Sequence, residues 1–172
     1  MPLLPYVINL QAARAMEVLF YHLTESTLEE ALPPLVEKSL ERGWRVGIQT
    51  ASEERRDALD ACLWTFRDDS FVPHATDREP HAAEQPVILT TAPANPNGAS
   101  IRFLVEGAEP GSLDGYQRAV FLFDGHDTSQ LDAARAHWKA MKAAGHDVTY
   151  WQQGPDRRWQ RKRERGESAI RQ

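Results

Sequence analysis

Arg135, Trp138, Lys139 and Lys142 set three cations beside an indole within one arc of a helix. At roughly 100° per residue they fall within about 100° of one another, and Ala133, Ala136, Ala140 and Ala144 take the opposite side. Such side chains recognise carboxylates and apolar groups. The alanines are small enough for the helix to lie close on a sheet, so the spacing predicts a basic face whose indole looks outward. The competing reading has Trp138 leaning over the edge of the core while the charges are simply solvated; the pattern alone leaves both open. A second concentration of binding-type residues is the run from Leu63 to His74, where Trp64, Phe66 and Phe71 gather at a helix end and in the loop beyond it. Aromatics in a polar loop either pin it to the body or anchor another protein.

Catalytic chemistry has weaker candidates. His74 and His81 lie in the same long loop, and His126 sits in Phe123-Asp124-Gly125-His126-Asp127, with no tight Cys/His cluster and no H-E-x-x-H pair. Asp124, His126 and Asp127 can offer two carboxylates and an imidazole to one ion, although Asp-Gly before a helix more commonly makes a turn and a cap. Cys62 with His74, or Ser70 with His74, would form a nucleophile and base, but Cys62 falls on the Ala58, Leu59, Cys62 stripe, where a small buried thiol fits better. The turn His22 to Thr27 has no glycine and carries Glu25 where a phosphate would sit, and no G-x-x-x-x-G-K-[ST] run occurs. The enzymatic alternative is therefore a nucleotide- or metal-dependent α/β enzyme using the His74 or Asp124-His126 region.

The elements that would position these residues alternate. Met16 to His22 reads as a first buried strand, and Thr27 to Arg42 as a helix opened by a Thr27/Glu30 capping box and kinked or split by Pro33-Pro34. Gly43 stops that helix and Trp44 to Thr50 forms a second strand, which makes a parallel β-α-β unit. Ser52 caps a helix running to about Leu63, and a long polar loop follows to Pro86. Val87–Thr91, Ile101–Glu106 and Ala119–Phe123 are short strands. A last helix, capped by Thr128 or Ser129 and ended by Gly145, leads to a closing strand over Val148 to Trp151. The order favours an α/β fold, a Rossmann-like three-layer sandwich with a mostly parallel central sheet and helices on both faces.

The 172 residues suit one domain of ordinary composition, with no apolar run near the roughly 20 residues of a membrane span. One cysteine excludes an internal disulfide, and the first residues read poorly as a secretory signal, so a cytoplasmic location is expected. Residues 154–172 hold seven basic and three acidic side chains, a charge of +4 within a chain of −5, which leaves the body near −9. The expected division is an amino-terminal extension over 1–15, with Met16 itself a candidate start, a single α/β domain over 16–152, and a basic, flexible tail over 153–172. That tail would aid solubility or touch nucleic acid weakly.

The run ALDACLWTFRDDSFVPHATD, together with LFDGHDTSQLDAARAHWKAMKAAGHDVTYW, resembles the chi subunit family of bacterial DNA polymerase III holoenzyme. The likeness extends from about Met16 to Trp151. It implies a noncatalytic clamp-loader accessory protein without cofactor or metal. Its partner would be single-stranded DNA-binding protein, bound through an acidic carboxyl-terminal tail ending in an apolar residue; contact with nucleic acid would be mainly indirect. By the resemblance, Arg135 holds the key arginine position, Trp138 stands where an aromatic, commonly tyrosine, is expected, and Lys139 also fits. A further basic position appears as Leu131, so Lys142 would make up the charge. Trp64 and Phe71 match the positions that meet the psi subunit or another clamp-loader or helicase-like protein.

Overall fold

In the computed structural model, residues 15–69 and 71–162 are described. The strands are β1 (Glu17–Leu23), β2 (Val46–Gln49), β3 (His74–Thr76), β4 (Val87–Thr90), β5 (Ile101–Val105), β6 (Arg118–Asp124), β7 (Asp147–Gln153) and β8 (Trp159–Lys162). The helices are α1 (Leu28–Glu41), α2 (Glu53–Thr65) and α3 (Thr128–Ala143), with a 3-10 turn over Ala82–Glu84. One eight-stranded sheet runs β3-β4-β2-β5-β6-β1-β7-β8 and is parallel except for the β7/β8 pair. The expected α/β sandwich is thus present. No helix among the described residues is long and apolar enough to cross a membrane.

The inner parallel strands are largely apolar on both sides because both faces are covered there. On one face Leu19, Val46, Ile48, Val87, Leu89, Phe103 and Val120 meet Leu28, Leu32 and Val36 of α1 and Leu59 and Leu63 of α2. On the other, Val18, Phe20, Leu104, Phe121 and Tyr150 meet Ala134 and Trp138 of α3. A single helix cannot span that second face, and the loops flanking β5 complete it. Arg102, fully buried on β5, ties them down. Its guanidinium donates to Gln49 Oε1 (3.0 and 2.7 Å), to the Ala92 and Ala94 carbonyls (2.5 and 2.9 Å) and to the Tyr116 hydroxyl (2.8 Å). Asn97 adds side-chain bonds to the Val46 and Gln85 carbonyls.

Several expectations need correction. β1 and β2 are parallel, as expected, with β5 and β6 between them; β1 takes the slot between β6 and β7, where Val18 and Phe20 are completely buried. Pro33 and Pro34 neither split nor end α1, which runs through both. The amide that Pro33 lacks would have bonded the Glu29 carbonyl, and the Cys62 thiol meets that oxygen at 3.5 Å instead. The Thr27/Glu30 capping box and the Ser52 cap both form. The polar stretch before Pro86 contains β3 and the 3-10 turn, because β3 gains a ladder against β4. Asp127 caps α3 in place of Thr128 or Ser129; its extended backbone lets Oδ1 accept from the Gln130 amide at 3.0 Å. Finally, Trp159–Lys162 of the expected tail pairs antiparallel with β7 as β8, held by Trp159 against Tyr21. The rest of that tail, from 163, lies outside the described residues, as does the extension over 1–14.

Candidate protein-binding surfaces

The orientation of α3 reverses the alanine argument. Its buried residues are Ala134, His137 and Trp138, with Leu131 and Met141 half-buried beside them, whereas Ala136, Ala140 and Ala144 are exposed. The energetics explain the choice. An indole removes about 150–250 Å² from water, worth several kcal/mol at about 25 cal/mol per Å², far more than a row of methyl groups. Trp138, 5% exposed, stands edge-on to Phe20 (5.2 Å, 68°) and to Tyr150 (6.0 Å, 89°). The outward-facing indole is therefore wrong, but its rim still borders the cations. Lys142 Nζ lies 5.6 Å from the ring centroid, and Trp138 Nε1 has no hydrogen-bond partner among the described residues.

Arg135, Lys139 and Lys142 follow at helical spacing along the solvent side of that buried ring. Arg135 is half-buried and pairs with Asp132 at 3.0 Å, one turn earlier; Lys139 and Lys142 are exposed. Leu131, where the resemblance expects a cation, packs against the same cluster as Trp138. The helix thus presents a positive ridge over an apolar seam. Such a ridge can hold carboxylates by charge-assisted hydrogen bonds while the seam receives an apolar end.

Trp64 and Phe71 form a second surface on the opposite face of the sheet. Trp64 sits in the last turn of α2 and Phe71 in the loop that follows; they are 53% and 70% exposed, the large hydrophobic side chains most open to solvent among the described residues. Their rings lie 5.8 Å apart, and Trp64 rests on His74 at 4.5 Å. The floor is rigid. Val72 is buried, and His74, with no exposed side-chain surface, has Nδ1 2.6 Å from the Val72 carbonyl and Nε2 3.2 Å from both the Asp60 carbonyl and Oδ1. Burial pushes the Asp60 carboxyl above its ordinary range, with His74 pulling the other way. Phe66 is different, since it is partly buried against the core under the Arg67 guanidinium.

The residues considered for catalysis have structural occupations. His74 clamps its own loop. Cys62 faces the Glu29 carbonyl, and burial raises its thiol, which makes it a poorer nucleophile; Ser70 lies outside the described residues. Asp124 accepts from the His126 amide at 2.8 Å, Asp127 caps α3, and His126 Nε2 lies 2.9 Å from the Thr24 carbonyl, so the three do not converge on an ion. Among the described residues no group of three or more His, Cys, Asp or Glu is placed to hold a metal. A cleft of about 360 Å³ opens at the carboxyl ends of β1 and β6, but Glu25, Glu29, Glu106 and Asp124 line it, and a phosphate would meet negative charge there.

Residues 16–149 match the family described as the DNA polymerase III chi subunit, HolC. The chain is 32% identical over 114 residues to the DNA polymerase III subunit chi of Pseudomonas aeruginosa, covering 66% of this chain and 78% of that protein. It is 29% identical over 85 residues to the probable subunit chi of Rickettsia prowazekii, covering 49% of this chain and about half (52%) of that relative. With the matched region running from the residue before β1 into β7, the chain belongs to the DNA polymerase III chi subunit family.

Proposed function

We propose that this chain is a noncatalytic accessory subunit of DNA polymerase III that links the clamp loader to single-stranded DNA-binding protein. The observation that carries the reading is the placement of two chemically different surfaces on opposite faces of one sheet. A cationic ridge over an apolar seam suits an acidic tail with an apolar, carboxylate-bearing end, and an exposed aromatic pair on a fixed floor suits a hydrophobic partner. Both partners can then be held at once.

On the first surface Arg135 takes the tail's terminal carboxylate, Lys139 and Lys142 attract its acidic residues, and Trp138 contributes a rim and a firm floor. Asp132 competes for Arg135 and keeps the contact moderate. On the second, Trp64 and Phe71 engage the psi subunit or another clamp-loader or helicase-like protein. The adaptor works in the cytoplasm and requires neither cofactor nor metal. Affinity capture from native cells with tagged wild type, Arg135→Glu and Phe71→Ala tests the arrangement. Arg135→Glu should lose single-stranded DNA-binding protein and keep clamp-loader components, and Phe71→Ala should do the reverse. Variants that lose both sets together, or neither, would remove the two-surface reading.

A further inference from the structure

On the α1/α2 side of the sheet, the helices lie over β2 and β6 and over β3 and β4, away from the β7/β8 end. Strand register shows what occupies this end. Tyr21 of β1 is paired with Trp151 of β7, Trp151 with Arg161 of β8, and Gln153 with Trp159 of β8, so all these side chains emerge on one face. Tyr21, Trp151 and Trp159 are each only partly buried. Their rings adjoin: Tyr21 lies 4.5 Å from Trp159 and 6.2 Å from Trp151. Three large aromatics thus stand in a row across three neighbouring strands, packed on the edge of the core beneath and without a helix centred above them.

Three arginines border this row, with exposed Glu25 at its carboxyl end beside Gln153. Arg161 is exposed on the edge strand, and its side chain makes no hydrogen bond or ion pair among the described residues. At the amino end, Arg42 and Arg118 each lie 5.0 Å from the ring of half-buried Trp44, and Glu17 is neutralised by Arg118 at 2.9 Å. Asp147 is the exposed acid on the same side of β7. The chain as a whole carries −5, so a general attraction for polyanions is not the source of this pattern.

We infer that this sheet face is a binding platform for single-stranded nucleic acid. Unpaired bases offer flat π-faces that stack on Tyr21, Trp151 and Trp159, and the phosphates run past Arg161 toward Arg42 and Arg118. A duplex keeps its base faces inside and gains only the arginines. An acidic peptide would likewise use the charges and leave the row of aromatics unexplained. The inference is independent of the α3 surface, which lies on the other side of the sheet.

The test is fluorescence anisotropy of the full chain with a labelled thymidine single strand of about 15 nucleotides, at about 50 mM salt, beside a duplex of equal length and a poly-glutamate peptide. The single strand should bind, quench tryptophan emission and outcompete both controls. Trp159→Ala should weaken it by about 5- to 150-fold, as expected for the loss of one stacked base. Arg161→Glu, a change at an exposed position that leaves the thermal midpoint in place, should weaken binding and flatten the logarithmic salt slope by about 0.7. If Trp159→Ala fails to fold, Arg161→Glu decides. Absence of binding by wild type, equal binding of duplex or peptide, or an Arg161→Glu variant that binds as wild type does would each overturn the inference.

Discussion

Replacing Arg102 with methionine keeps an unbranched apolar stem and removes the guanidinium, a buried cation that has no carboxylate beside it. Five N–H donors reach four acceptors: Gln49 Oε1, the Tyr116 hydroxyl and the carbonyls of Ala92 and Ala94. Ala92 and Ala94 belong to exposed residues, and water can replace the guanidinium there. Gln49 and Tyr116 are 3% and 7% exposed, so their oxygens are left without partners. At about 1–3 kcal/mol for each orphaned buried group, the expected loss is about 3–4 kcal/mol, a large part of a total of about 5–15. Urea denaturation followed by circular dichroism should show the midpoint falling by about 1.5–2 M at unchanged slope, for a slope near 2 kcal/mol per M. The double variant Gln49→Met/Arg102→Met should be less damaged than the two single losses summed, because donor and acceptor leave together. A loss below about 1 kcal/mol, or strict additivity, would refute the account of Arg102 as the tie that holds the loops over the second face.

Three further outcomes follow from the same geometry. Gly125→Ala would place a methyl group 1.9 Å from His22 Nε2 and 2.9 Å from the Leu23 carbonyl, at the entry to α3, and should cost at least about 1–3 kcal/mol by thermal unfolding; a neutral result would mean that this turn yields freely. Burial first, and the nearby His126 second, lower the His22 imidazole to about 4, while the unfolded chain protonates it near 6.5. Its stabilising contribution is complete above that range and is lost as pH falls toward 4, so His22→Gln should show a smaller drop in melting temperature between pH 7 and about 4.5 than wild type, and parallel curves would contradict this. Phe71→Ala, at a 70% exposed position, should change stability by no more than about 0.5 kcal/mol in the same assay; a larger loss would make Phe71 a packing residue rather than a docking one.

Local signals were legible in the chain. The Thr27/Glu30 box, the Ser52 cap and the β-rich runs before and after the helices appear where their patterns place them, because each depends on residues a few positions apart. Strand order was not legible in the same way: whether β1 adjoins β2 or β6 depends on which face each helix takes, and no local pattern carries that. Trp138 shows a different failure. Four alanines and three cations do mark two sides of α3, but the burial of one indole against Phe20 and Tyr150 outweighs the alanine row. The burial of Arg102 and the strand β8 have no such signal, because arginines are rarely fully buried and W-Q-R-K has too little apolar alternation to announce a strand. At the candidate sites, the residue types were readable, whereas the exposure of Trp64 and Phe71 and the pairing of Arg135 with Asp132 depend on long-range packing and side-chain placement.

On the function proposed, the α3 ridge receives an acidic tail with an apolar end. Isothermal titration of the full chain with a synthetic copy of the carboxyl-terminal tail of single-stranded DNA-binding protein, at low and high salt, addresses it most directly. The account predicts one site, affinity that falls as salt rises, and an Arg135→Ala variant about tenfold weaker, corresponding to about 1.4 kcal/mol for a lost charge-assisted hydrogen bond. Equal affinities for wild type and Arg135→Ala, or no binding by either, would contradict it.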